Sequence, residues 1–235
     1  MKSRILIILI SMNFFFTSCE KEYMPDCTLG NCVNVNIKGL LYVTPTGEKL
    51  NNVLVEVIFA QKGPWLPDVK KVISGKTDKN GIFNFNVTID TLFFKDYTLC
   101  VRIPKLKNYI SLVHDPHADV TRLWFYNYDA DALQNIRFEF YKKTRLAINF
   151  NRALTDDCEY LAVTYFIGRR PIFENTLWIP ELVENEELQV WQIEVAADIH
   201  TKIEWTKSFK EGVRQFYVDS LICRQNKNNV FTINY

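Results

Sequence analysis

The sequence predicts an all-β protein with two antiparallel β-sandwich domains in tandem. Short runs in which apolar and polar residues alternate recur along the chain, and turn-forming residues separate them. No stretch shows the 3.6-residue period of a long amphipathic helix. A length of 235 residues also fits either one large domain or two smaller ones.

Five alternating runs in the first half predict strands with one face toward a core: residues 33–37, 53–59, 83–89, 97–103 and 136–140. Between the second and third runs, residues 77–83 read TDKNGIF. Asp78 and Asn80 favour turn conformations and Gly81 accepts a positive φ, so this segment predicts a tight hairpin. A calcium loop would need more oxygen ligands than these two side chains supply.

Four segments in the first half resemble the carboxypeptidase regulatory-like, or transthyretin-like, β-sandwich family. They read GLLYVTPTGEKLNNVLVEVIF, GKTDKNGIFNFNV, DYTLCVRIP and NIRFEFYKK. The matching positions are Gly39, Thr77, Asp78, Gly81, Phe83, Tyr97 and Val101. The resemblance implies a sandwich domain over residues 33–143 and implies no particular activity. Residues 104–135 are longer than the family pattern needs, and an extra strand is expected at 122–128.

Six further strand candidates follow, at residues 146–150, 161–167, 191–195, 203–205, 216–218 and 231–235. This number of strands in about 90 residues predicts a second sandwich of immunoglobulin-like size over residues 144–235. The domain boundary is expected near Lys143, with little linker. Residues 181–188 are acidic and lack alternation, which fits either a short helix or a loop.

The N-terminus has the layout of an export signal, with Lys2 and Arg4 before an apolar stretch at residues 5–16. That stretch is shorter than the roughly 20 residues that cross a bilayer. Thr17, Ser18 and Cys19 resemble the lipobox of Gram-negative bacterial lipoproteins. The resemblance implies that residues 1–18 are removed, that Cys19 carries acyl chains such as palmitate, and that residues 19–32 form a polar tether. The alternative is an ordinary signal peptide with an incidental cysteine.

Charge and cysteine content narrow the class of protein further. Without residues 1–18 the chain has 26 basic and 27 acidic side chains, so it lacks the basic footprint of a nucleic-acid-binding protein. Cys27 and Cys32 flank a Gly-Asn turn, where a small disulfide loop is sterically easy in an oxidising compartment. The spacing alone does not decide whether that disulfide forms.

Signals for catalysis are weak. The chain lacks GxSxG, HExxH and phosphate-binding glycine motifs and has three histidines, so no catalytic residue and no cofactor is expected. The strongest polar cluster is His114, Asp115, His117 and Asp119, which could bind a divalent metal if the four side chains converged. A solvated loop with local Asp capping is the simpler interpretation.

Two tryptophans lie in proline-flanked segments, Trp65 in GPWLP and Trp178 in TLWIP. A rigidly held indole can stack on a sugar or anchor a protein interface. Large aromatic side chains are more often mostly buried, so packing over the end of a core is the other interpretation.

The sequence therefore predicts a non-catalytic lipoprotein of the outer membrane, anchored by lipid and facing the periplasm or the cell exterior. A binding or scaffold role in adhesion or fimbria-type assembly is expected, by analogy with two-domain lipidated sandwiches and through sheet edges. An accessory glycan-binding lipoprotein is the alternative, and a metal-dependent envelope enzyme is a third. Membrane lipid and a surface protein or glycan are the expected partners, and nucleic acid is not.

Overall fold

The computed structural model describes residues 21–63, 68–111, 113–115, 120–151, 158–167, 170–178 and 190–235. The first half contains strands β1 (Lys21–Glu22), β2 (Cys32–Val43), β3 (Leu54–Gln61), β4 (Val69–Lys76), β5 (Ile82–Asp90), β6 (Tyr97–Pro104), β7 (Tyr109–Ser111), β8 (His114–Asp115) and β9 (Val120–Phe125). A short helix, α1 (Ala130–Gln134), precedes the long strand β10 (Ile136–Asn151). The second half adds β11 (Cys158–Ile167), β12 (Arg170–Trp178), β13 (Val190–Ala196), β14 (His200–Phe209), β15 (Arg214–Ile222) and β16 (Asn229–Asn234).

The predicted all-β sandwich class is confirmed. In the first half, a six-stranded sheet in the order β1-β4-β3-β6-β9-β8 packs on β5, β2 and the first part of β10. The alternating apolar residues of both sheets fill the core, with Ile37, Phe59, Phe83 and Phe138 almost fully buried. Most strand pairs are antiparallel, and β1–β4, β2–β10 and β10–β16 are parallel.

The tight turn predicted at residues 77–83 is confirmed, but the predicted hairpin is wrong. Strand β4 pairs with β3 and β5 pairs with β2, so the turn joins strands of two different sheets. The Asp78 carboxylate accepts hydrogen bonds from the backbone N–H groups of Asn80 and Ile82 at 2.8 and 2.9 Å. Those bonds, the Ile82 bond first, hold the pKa of Asp78 below its usual value. Gly81 adopts φ of +72°, which only glycine reaches without strain.

Strand β10 belongs to both halves of the molecule. Its first part pairs with β2 through residues 136–140 and with β7 through residues 140–142. From Lys143 onward it pairs with β13, and from Leu146 with β16. The change of partners falls between Lys142 and Lys143, inside one uninterrupted strand. Ile110, Tyr141 and Ala196 form a small buried cluster beside this change.

The second half is a smaller sandwich. A four-stranded sheet in the order β12-β11-β14-β15 faces the second part of β10 with β13 and β16. Leu146, Ile148, Leu161, Val163 and Ile203 are fully buried between the two layers.

Two other features of the first half differ from the sequence-based expectation. Residues 21–32 do not form a free tether: β1 pairs with β4, and Tyr23 is buried against Phe59 and Phe93. The hydroxyl of Tyr23 also accepts a hydrogen bond from the backbone N–H of Asp90 at 2.7 Å. Strand β4 was not predicted, because its residues are half-buried on both faces and give no alternation. The extra strand expected at 122–128 is present as β9, at Val120–Phe125.

Candidate functional site: the exposed edge strand

Strand β15 lies at one edge of the four-stranded sheet. It pairs over nine residues with β14, and no strand in the described part of the chain pairs with its other edge. A strand in this position presents a row of backbone N–H and C=O groups to a further strand. Very short edge strands are poor templates for pairing with another strand, and β15 is much longer, at nine residues.

The outer face of β15 is apolar and open. Phe216 is 75% exposed and Val218 is 64% exposed, and both point away from the core beside Thr206 and Glu204 of β14. Ile222 extends the exposed apolar row at one end, and Arg214 and Ser220 are the polar residues of the same face. Edge strands of monomeric proteins usually carry lysine, proline or a bulge instead, which prevents association with another sheet.

The inner face of β15 is held in place by ring contacts. Tyr217 stacks on Trp205 of β14 with ring centroids 5.3 Å apart and an interplanar angle of 9°. Trp205 in turn meets Phe231 of β16 edge-on at 5.7 Å, which links β15 to the opposite layer. The ammonium of Lys207 lies 5.5 Å from the Tyr217 ring centre. These contacts keep the strand ordered while its outer face stays open.

The sequence indicated a strand at residues 216–218 but not its exposed face. Phe216, Tyr217 and Val218 are three consecutive apolar residues, so alternation does not tell which of them points inward. Gln215 and Asp219 are the signal that could have been used, because they share the inner face with Tyr217 and are polar. Two polar residues on that face indicate that little core lies beneath this edge of the sheet.

A second feature is a polar cleft of about 450 Å³ at the junction of the two halves. Four basic side chains line it: Lys107, Lys142, Lys143 and Arg145. Lys143 pairs with Glu194 at 3.0 Å, and Lys142 pairs with Glu48 at 3.4 Å. Positive charge therefore exceeds negative charge within the cleft, which favours an anionic ligand.

Several residues singled out in the sequence fall outside the described part of the chain: Cys19, Trp65, His117 and Asp119. Trp178 ends β12, and His114 and Asp115 form β8, but their side chains are not among those described. The proposed convergence of the His114 cluster and the exposure of both tryptophans therefore stay predictions. Within the described residues, no group of three or more His, Cys, Asp or Glu side chains could hold a metal ion.

The cysteines divide into two kinds. Cys27 and Cys32 form a disulfide, with Cα atoms 5.2 Å apart, which closes the loop before β2. Cys100 and Cys223 are buried thiols, and burial raises the pKa of Cys100 to about 12. The buried Cys158 thiol donates a hydrogen bond to the carbonyl oxygen of Tyr160 at 3.1 Å. Buried thiols with a raised pKa are poor nucleophiles, so Cys100 and Cys223 contribute packing.

No helix in the described part of the chain has the length and apolar character needed to span a bilayer. Neither a protein-family model nor a curated protein sequence matches the chain.

Solved structures with some likeness include the Bacillus anthracis TIE protein, at 12% identity and a TM-score of 0.32, covering 86% of this chain and 34% of that one. Shaft pilin SpaA from Lactobacillus rhamnosus GG has 11% identity and a TM-score of 0.32, over 86% of this chain and 98% of the pilin. A streptococcal ancillary pilin has 11% identity and a TM-score of 0.30, over 86% and 62% of the two chains. At these TM-scores the likeness carries no conclusion about what the chain does.

Proposed function

We propose that this chain is a non-catalytic lipoprotein of the cell envelope, anchored through Cys19, that takes part in a fimbria-type assembly by β-strand addition. The observation that carries the proposal is β15, a nine-residue edge with the exposed side chains Phe216 and Val218 on its outer face. An added strand would gain backbone hydrogen bonds from the edge and apolar contacts from these two side chains. The partner is an extended segment of another protein at the envelope.

A photo-crosslinking side chain at position 216 of the full chain, expressed in its own cells, tests this proposal. The matched control places the same group at Leu54, which is also an exposed apolar strand residue but lies in the first half. We expect a light-dependent adduct of discrete mass at position 216 and none at position 54. Equal adducts at both positions, or none at either, would contradict strand addition at β15.

A charge on the outer face provides a second arm of the same experiment. Val218→Lys places an ammonium in the new strand pair, and edge lysines oppose sheet extension. Because Val218 is 64% exposed, this substitution leaves the core unchanged. The adduct from position 216 should disappear in the Val218→Lys background, and an undiminished adduct would point to a contact that is not a strand pair.

The basic cleft favours a second candidate function, the binding of an anionic surface glycan. Lys107 and Arg145 line it and are exposed, and Glu194 already neutralises Lys143. The two functions are distinguished in the same preparation, because Val218→Lys should leave retention of a uronic-acid polysaccharide unchanged while it abolishes the protein adduct.

A further inference from the structure

We infer that the end of the first sandwich at which the chain begins rests directly on the lipid bilayer, with Met24, Leu29, Leu92 and Tyr126 as the side chains that enter its interfacial layer. This inference rests on the proposed acylation of Cys19. We call this end of the first half the N-terminal pole. It is defined by the start of β1, the loop closed by Cys27–Cys32, the 3-10 turn Thr91–Lys95 and the end of β9.

Strand registers place these segments at one end. Lys21 of β1 lies beside Lys70 near the start of β4, and the end of β3 lies beside the start of β6 through Gln61 and Tyr97. Cys32 lies beside Asp90, the last residue of β5, which leads into the turn Thr91–Lys95. Tyr126 directly follows β9, whose last residue lies opposite Leu99 near the start of β6.

The distance available to the anchor is short. Only Glu20 separates Cys19 from the first residue of β1, and two extended residues span about 7 Å. The polar layer on each side of a bilayer is about 5–8 Å thick. An acylated Cys19 therefore cannot hold the pole clear of the surface while β1 stays paired. Tyr23, buried and hydrogen-bonded to Asp90, keeps β1 in place.

Exposed apolar side chains are concentrated where this geometry requires lipid contact. The described residues of the first half have five large apolar side chains that are exposed: Met24, Leu29, Leu54, Leu92 and Tyr126. All except Leu54 lie at the N-terminal pole, and Met24 and Leu29 are each 78% exposed. Tyrosine and apolar side chains are favoured at the headgroup level of a bilayer, because their apolar surface leaves water there.

Charge at the pole is balanced. Lys21, Lys62, Lys70 and Lys95 are matched in number by Glu22, Asp26, Asp68 and Asp96 in the same region, and Lys70 pairs with Asp68 at 3.2 Å. The contact should therefore depend on apolar insertion and should not require anionic lipid. An attraction between a basic protein and an acidic membrane weakens as salt is raised, whereas apolar insertion at the pole should not.

Leu92 and Leu54 form a matched pair for the test, because each is 38% exposed and they lie at opposite ends of the first sandwich. Leu92→Cys and Leu54→Cys would each accept a polarity-sensitive fluorophore. Cys100, Cys158 and Cys223 are buried and Cys27–Cys32 is oxidised, so labelling of the parent chain gives the background. The acylated full chain is inserted into phosphatidylcholine vesicles that contain a nitroxide-labelled lipid.

We expect nitroxide lipid to quench the probe at position 92 severalfold more than the probe at position 54, with little change when salt is raised. Equal quenching at both positions in a chain that mass spectrometry shows to be acylated would overturn the pole contact and leave the anchor intact. A chain without acyl groups on Cys19 would overturn the pole contact and the proposed anchor together.

Discussion

At Gly81 one hydrogen atom in place of a methyl group decides whether the 77–83 turn can form. A Cβ at this position would fall 2.5 Å from the carbonyl oxygen of Leu41, which belongs to the backbone and cannot move away easily. Gly39 is similar, because its Cβ would fall 2.4 Å from the ring of Phe83. The turn at Gly81 was predictable, because turn-forming residues surround it in the sequence. The need for glycine at position 39 was not, because a close approach to a distant strand leaves no signal in the local sequence.

Gly81→Ala should lower the free energy of unfolding by more than Gly47→Ala. Both glycines have φ of +72°, so each variant pays the same left-handed backbone cost of about 1–2 kcal/mol. No atom lies within 4 Å of a Cβ at Gly47, so only the Gly81 variant adds a clash. Chemical denaturation of the two variants measures the difference, and equal losses would show that the contact with Leu41 relaxes freely.

At the scale of elements, the strands with clear alternation were predictable and those without it were not. Residues 136–140 and 146–150 alternate cleanly, and the intervening YKKTR does not, so the sequence indicated a boundary near Lys143. The strand nevertheless continues through this stretch, because β7 and β13 pair with it in succession. Partners distant in sequence determine that continuity. The open face of β15 was missed for a local reason, because Phe216, Tyr217 and Val218 are consecutive apolar residues and show no alternation.

A continuous β10 should make the two sandwiches unfold together. Calorimetry of the parent chain should show one transition, since β10 pairs without a break, first with β2 and β7 and then with β13. Within β10, the backbone N–H of Lys143 donates at 2.9 Å to the carbonyl oxygen of Asn108, which directly precedes β7. Lys143→Pro removes that donor, whereas Lys143→Ala keeps it, and both variants lose the pair with Glu194. The proline variant should separate the transition into two or lower its midpoint relative to the alanine variant. Two resolved transitions in the parent chain would contradict this coupling.

At the scale of the whole molecule, β10 carries the second sandwich away from the N-terminal pole. Strand β2 starts at the pole and runs parallel to β10, and its 12 residues span about 40 Å at roughly 3.3 Å each. The second sandwich lies beyond the far end of β2. With Cys19 in a bilayer, the β15 edge would therefore project away from the membrane, where another chain can reach it. Composition and motif predicted the anchor, but this arrangement depends on pairing between distant strands.

Acylation of Cys19 is the claim on which the envelope role depends, and metabolic labelling tests it most directly. Cells grown with labelled palmitate should yield labelled chain in the membrane fraction. Cys19→Ser should yield an unlabelled chain outside that fraction, because the acyl chains on the cysteine supply the membrane anchorage in this account. An unlabelled parent chain, or a serine variant that still sediments with membranes, would contradict the account.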